Sequence, residues 1–126
     1  MQNSRMRRQN DLRERTKKFA LATIKFCESL PKDEISKVLC RQLLRSGTSV
    51  GENYRAAYRA KSQADFISKM GTVLEEADES AYWIELLCDS GKVRSETCAP
   101  LHGEADELTA IAVSSINTAR RNSGTD

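Results

Sequence analysis

Histidine occurs once in the 126 residues, as His102, proline twice, and aromatic side chains make up only 6% of the chain. A lone imidazole excludes metal sites built from several histidines. Scarce proline leaves long helices uninterrupted, and scarce aromatics fit helices packed through aliphatic side chains and alanine. The four cysteines, Cys27, Cys40, Cys88 and Cys98, contain no CxxC pair. They therefore read as reduced, mostly buried thiols rather than as a disulfide framework or a metal knot. No apolar run approaches the ~20 residues that span a bilayer, and no secretory n-region, h-region and cleavage site is visible. No membrane partner and a cytoplasmic location are expected.

What the chain has is 39% hydrophobic and 30% charged residues, a balance that buries one core and argues against a disordered tail. Its length suits one domain over residues 1–126. The net charge of +2 conceals a split: residues 1–61 hold 15 Lys and Arg against 6 Asp and Glu, and residues 62–126 hold 5 against 12. Such halves are neutralised inside a bundle, between copies of the chain, or by an outside polyanion.

Four apolar stripes at helical spacing follow one another. Leu12, Phe19, Ala22, Phe26 and Leu30 form the first, which Pro31 stops. Asp33 is a candidate N-cap for a second helix showing Ile35, Leu39, Leu43, Ser46, Val50, Asn53 and Ala57 on one face. Within it, the run from Arg45 to Asn53 is a poor local helix former, because each glycine costs about 1 kcal/mol relative to alanine. The run is still read as continuous helix rather than a turn at Gly47 to Gly51, since small residues at 46, 47, 49 and 51 admit a close neighbour. Ser62 caps a third helix, with Asp65 as an acidic capping-box partner and Phe66, Met70, Val73, Ala77, Ser80/Ala81, Ile84 and Leu87 inward, ending at Ser90-Gly91. A fourth begins between Ser95 and Pro100 and carries Leu101, Ala105, Leu108, Ile111/Ala112, Ser115 and Ala119. Arg120 and Arg121 complement its C-terminal dipole. The fold expected is all-α, an up-down-up-down four-helix bundle, with a basic arm over residues 1–10 (Arg5, Arg7, Arg8) and a frayed tail over 122–126.

No catalytic constellation accompanies these stripes. The acids Glu75, Glu76, Asp78 and Glu79 lack the Glu-x-x-His pair of a di-metal bundle, Cys88 and Cys98 have only His102 as a possible base, and Gly47 to Gly51 lacks a phosphate-loop order. A non-enzymatic chain with no cofactor and no metal is expected. Arg45 needs an acid if it is even half-buried, and Glu79 is the natural one, so an Arg45 to Glu79 link with Ser49 or Asn53 close by is expected to fix register or a subunit contact. Arg41, Arg55, Arg59 and Lys61, with the N-terminal arginines, are candidate phosphate contacts for RNA or DNA. The alternative for them is an ordinary solvated face.

Two blocks make the chain recognisable: Leu43 to Ala56 (LLRSGTSVGENYRA), and Glu75 to Leu87 (EEADESAYWIELL) before Ser90-Gly91, with Asp65-Phe66-Ile67 between them. The chain resembles, from about Phe19 to Arg120, the bacterial four-helix bundle proteins first noticed as reading frames in intervening sequences of large-subunit ribosomal RNA genes, some of them labelled ribosomal proteins. The resemblance implies an up-down bundle that self-associates into a homopentamer with a central channel, and an undefined biochemical role. The family is also distantly similar to the accessory variability proteins of diversity-generating retroelements, which bind nucleic acid and a reverse transcriptase, so that enzyme is a partner by analogy alone. The family pattern Arg-Ser-x-x-Ser-x-x-x-Asn falls on Arg45, Ser46, Ser49 and Asn53, and Glu-x-x-Tyr-Trp on Glu79, Tyr82 and Trp83. Glu52 stands where many members carry a small residue.

Overall fold

The computed structural model describes residues 2–123, with side chains for 11–122. The side chains of Arg5, Arg7 and Arg8 and residues 124–126 lie outside that range. Four helices follow in order: α1 (Gln2–Glu28), α2 (Glu34–Tyr58), α3 (Gln63–Asp89) and α4 (Ser95–Ser123). No strand occurs among the described residues. The three connections are too short to do anything but reverse the chain, so each helix runs antiparallel to its neighbour in an up-down-up-down bundle. Packing of α1 on α2, α2 on α3, α3 on α4, and α4 on α1 closes the ring.

Local chemistry sets the boundaries. Asp33 accepts from the Ser36 backbone N–H at 3.0 Å and from its hydroxyl at 2.9 Å, closing the N-terminus of α2. Those bonds, with Lys92 nearby, hold the Asp33 carboxyl down at about 2. Ser62 accepts from Asp65 N–H at 3.0 Å to start α3, while the Asp65 carboxylate turns to Lys69 at 3.7 Å. At the other end of α3, Gly91 takes φ 81°, and Lys92 N–H reaches back to the Leu87 carbonyl at 3.1 Å. This is a Schellman termination, which needs a residue tolerant of left-handed backbone. Pro100 sits inside α4, early enough that the helix loses one bond near its start and continues. Lys92 also meets Asp33 at 3.3 Å, tying the α1–α2 and α3–α4 connections together at one end.

The run from Arg45 to Asn53 is uninterrupted helix. Its glycines are where α1 comes closest: a Cβ at Gly47 would lie 2.9 Å from the Thr23 side chain, and one at Gly51 3.2 Å from Thr16 Oγ1. Thr16 and Thr23 are both buried. Each hydroxyl bonds to its own helix, Thr16 to Leu12 O at 2.7 Å and Thr23 to Phe19 O at 2.8 Å, so burial leaves no donor stranded.

The core joins Phe19, Phe26, Leu43, Val50, Met70, Ala77, Ile84, Leu87, Ala105, Leu108 and Ala112 across all four helices. Three expected inward positions differ. Ile35 is 58% exposed, because it sits in the first turn of α2, level with the end of α3. Ala22 is exposed beside α4. In α4 the buried position is Ile116 rather than Ser115, one residue along the stripe.

Candidate nucleic-acid interface and polar network

On the flank between α2 and α3, the Arg45 guanidinium meets the Glu79 carboxylate, and its second terminal nitrogen lies 3.5 Å from Glu76 Oε1. The indole N–H of Trp83 donates to the same Glu79 oxygen at 3.2 Å, and Tyr82 tilts against Trp83 with ring centroids 5.2 Å apart. The Arg45 to Glu79 link expected from the sequence is therefore present. Ser49 and Asn53 are not part of it. Ser49 Oγ donates to Arg45 O at 2.6 Å and Asn53 Nδ2 to Ser49 O at 2.8 Å, so both follow the α2 backbone. An i−4 carbonyl is always in reach of a helical Ser, and that local acceptor outcompetes a partner on another helix.

Two features of this flank, a serine pair and a carboxylate, were not singled out as bonding partners in the sequence. Ser46 and Ser80, each fully buried, share a 2.8 Å hydrogen bond between α2 and α3. Both lie on the inward stripes, and a serine on an apolar stripe of each of two helices is the signal that would have found them. Glu76 is the second. Its Oε1 is buried without a hydrogen-bond partner among the described residues. Burial, opposed by Arg45 and reinforced by Glu79, raises its carboxyl above the ordinary range.

Arg41 and Arg55 are exposed on the outward face of α2, Arg59 is exposed at its C-cap, and Lys61 on the connection that follows. None of the four side chains has an ion-pair partner among the described residues. Fourteen residues separate Arg41 from Arg55, which puts them within about 40° on the helix and about 21 Å apart along it. Arg55, Arg59 and Lys61 gather at the end of the bundle opposite the Asp33 to Lys92 tie, and Arg41 stands apart from them. Gln63 Nε2 donates to Ala119 O at 2.9 Å, which brings Arg120 and Arg121 of α4 to the same end. Arg13 adds its guanidinium over the Tyr58 ring, 5.2 Å from the centroid. The sequence separates Arg13 from Arg120 and Arg121 by more than a hundred residues, so only the topology assembles them.

Few charges are matched between the basic and acidic halves. Arg15 binds Glu104 at 2.7 Å and Glu107 at 2.8 Å across α1 and α4, and these bonds raise its already high pKa. Arg45 and the Asp33 to Lys92 tie also join the two halves. His102 meets Glu85 at 2.7 Å and Asp106 at 3.5 Å inside the acidic half.

A groove of about 510 Å³ runs between α1 and α4 over Phe19, Ala22, Phe26 and Leu101. Its single carboxylate, Glu104, is held by Arg15. No group of three or more His, Cys, Asp or Glu able to hold a metal ion occurs among the described residues. No described helix is long and apolar enough to cross a membrane.

Comparison with known proteins agrees with this architecture. The family model described as 23S rRNA-intervening sequence protein matches residues 8–114. A crystal structure of a protein with unknown function from the S23 ribosomal protein family of Bacteroides thetaiotaomicron superposes with a TM-score of 0.80 at 33% identity, covering 86% of this chain and 97% of that one. No curated protein matches. A family match over most of the chain, together with the antiparallel bundle shared with that solved structure, makes this chain a member of the 23S rRNA-intervening sequence protein family.

Proposed function

We propose that the chain is a non-catalytic module that assembles with copies of itself and uses the outward face of α2 to bind RNA or DNA. The observation that carries this reading is the set of four unpaired cations, Arg41, Arg55, Arg59 and Lys61, on one side of a molecule whose acids lie mostly on the other two helices. A bundle that neutralised its halves internally would have placed carboxylates beside them; these four are instead left open to a polyanion or a neighbouring copy. The family description, which names 23S rRNA, makes ribosomal RNA the first ligand to try.

Self-association has its own support. Leu21, Ile24, Ile35, Val38, Tyr82 and Val113 are all exposed, and a contact with another copy would cover such apolar side chains. A head-to-tail contact between a basic and an acidic half makes a ring where the rotation between copies closes, and a homopentamer of the kind the resemblance implies is the ring proposed. The cytoplasm, where ribosomal RNA resides, is the compartment this reading assigns.

The test combines light scattering with a mobility shift on ribosomal RNA fragments. The expected result is a pentamer whose binding weakens as salt rises. Absence of binding at low salt removes the nucleic-acid role, leaving a protein scaffold whose client co-purifies after nuclease treatment; a monomer removes the assembly.

A further inference from the structure

Of the four seams between helices, that of α1 with α4 is the most loosely packed. Gly47 and Gly51 let α1 settle on α2 through Thr23 and Thr16, whereas toward α4 it presents Ala22, too small to fill the gap. The Arg15 side chain crosses this seam to Glu104 and Glu107, an ion pair of long side chains in place of interlocked apolar ones. What remains is the groove of about 510 Å³, within the ~300–1,000 Å³ of small-molecule sites. Phe19, Phe26 and Leu101 form its floor, and the two phenylalanines, seven residues apart, lie about 10.5 Å from each other along α1. Lys18 and Lys25 stand on the α1 rim, each one residue before a floor phenylalanine, and both are exposed. Neither has an ion-pair partner among the described residues. Glu104, the groove's carboxylate, is matched by Arg15 at one end, so the two lysines are the unmatched charges of the lining.

We propose that this groove binds a free long-chain carboxylate, its alkyl chain over Phe19, Phe26 and Leu101 and its carboxylate paired with Lys25. An apolar trough with unmatched charge of one sign on its rim selects an amphiphile of the opposite sign. The alkyl chain displaces water from the floor and from the lysine stems, and the anionic end meets an ammonium group at the rim. A cationic amphiphile sets like charges together, and a neutral one leaves the lysines unanswered. Nucleic acid, the ligand proposed for the α2 face, has no alkyl part for the floor. The head is assigned to Lys25 because Ser29 and Thr97 line that end with hydroxyls and no carboxylate, whereas Lys18 stands one turn from Arg15, near Glu104.

The test is a calorimetric titration of the full chain with dodecanoate below its micelle concentration, beside dodecyltrimethylammonium and vesicles of phosphatidylglycerol. The expected result is saturable uptake of one dodecanoate per chain, with the cationic amphiphile and the vesicles left unbound. Ala22→Trp fills the groove from an exposed position and is expected to abolish binding with the melting temperature near the parent's. Lys25→Gln is expected to weaken binding by about 2–5-fold, the range of an exposed ion pair. Lys18→Gln should weaken it less, and Lys25→Arg should bind as the parent does. Equal uptake of the two amphiphiles, binding of vesicles in place of the free acid, or no uptake at all would overturn the proposal. So would parent-like affinity in Ala22→Trp or in Lys25→Gln.

Discussion

Gly47 shows how one missing methyl group sets the spacing of two helices. Alanine there gains about 1 kcal/mol of helix propensity, but its Cβ would sit 2.9 Å from the buried Thr23 side chain, and overpacking of that kind costs about 1–3 kcal/mol. Gly47→Ala is therefore expected to destabilise the fold. Gly71→Ala, where a new Cβ meets nothing within 4 Å, is expected to stabilise it by about 0.5–1 kcal/mol. Urea titrations of both variants decide it, and combining Gly47→Ala with Thr23→Ala should recover part of the loss. Glu76 makes the second case, through its ionisation. Its carboxyl pKa is raised in the fold, so the protonated form is favoured there. That favourable contribution is complete below the ordinary carboxylate range and is lost as pH rises through the raised value. Glu76→Gln fixes the neutral state, and is expected to melt above the parent at pH 7 and level with it below about pH 4. A lower melting point at pH 7 would mean that Arg45 outweighs burial.

Among elements, the caps carry the pH dependence of opposite sign. The Asp33 carboxyl is held at about 2 by Ser36 and Lys92, below its unfolded value. Its contribution is present above the ordinary range and lost as pH falls toward 2. Asp33→Ala is expected to lower the melting temperature clearly at pH 7 and hardly at all at pH 2, as thermal scans at the two values would show. Such caps were legible in the sequence because a cap is made by residues three apart. The stripes were legible for the same reason, and so was the Arg45 to Glu79 link, because an arginine beside a core stripe has few acids to choose from. Thr16 and Thr23 were missed because a polar residue that satisfies itself on its own backbone looks like a surface residue until the neighbour's glycines are placed against it. Ile35 was assigned to the core because its spacing fits, whereas its exposure depends on where α3 ends. Ser49 and Asn53 share the face of Arg45, yet which acceptor each takes is settled by distances that spacing does not contain.

For the whole molecule, the decisive quantity is how far the basic face extends. Arg55, Arg59 and Lys61 cluster at one end, while Arg41 points the same way about 21 Å along α2, and the one acid on that face between them is Glu52. A phosphate backbone lying along α2 would engage both groups, and each cation removed from such an interface lowers the slope of log affinity against log salt by roughly 1. Replacing Arg55, Arg59 and Lys61 by alanine is then expected to reduce the slope by roughly 3, and Arg41→Ala alone by roughly 1. Glu52→Gln, which removes a charge that repels phosphate, is expected to tighten binding. The Arg41 effect should vanish for oligonucleotides too short to span the distance, while the effect of the other three persists. An Arg41→Ala slope equal to the parent's on long RNA would confine the ligand to the end of the bundle, where Arg13 and Arg121 replace Arg41 as its neighbours, and the strand would then cross the helix ends instead of following α2.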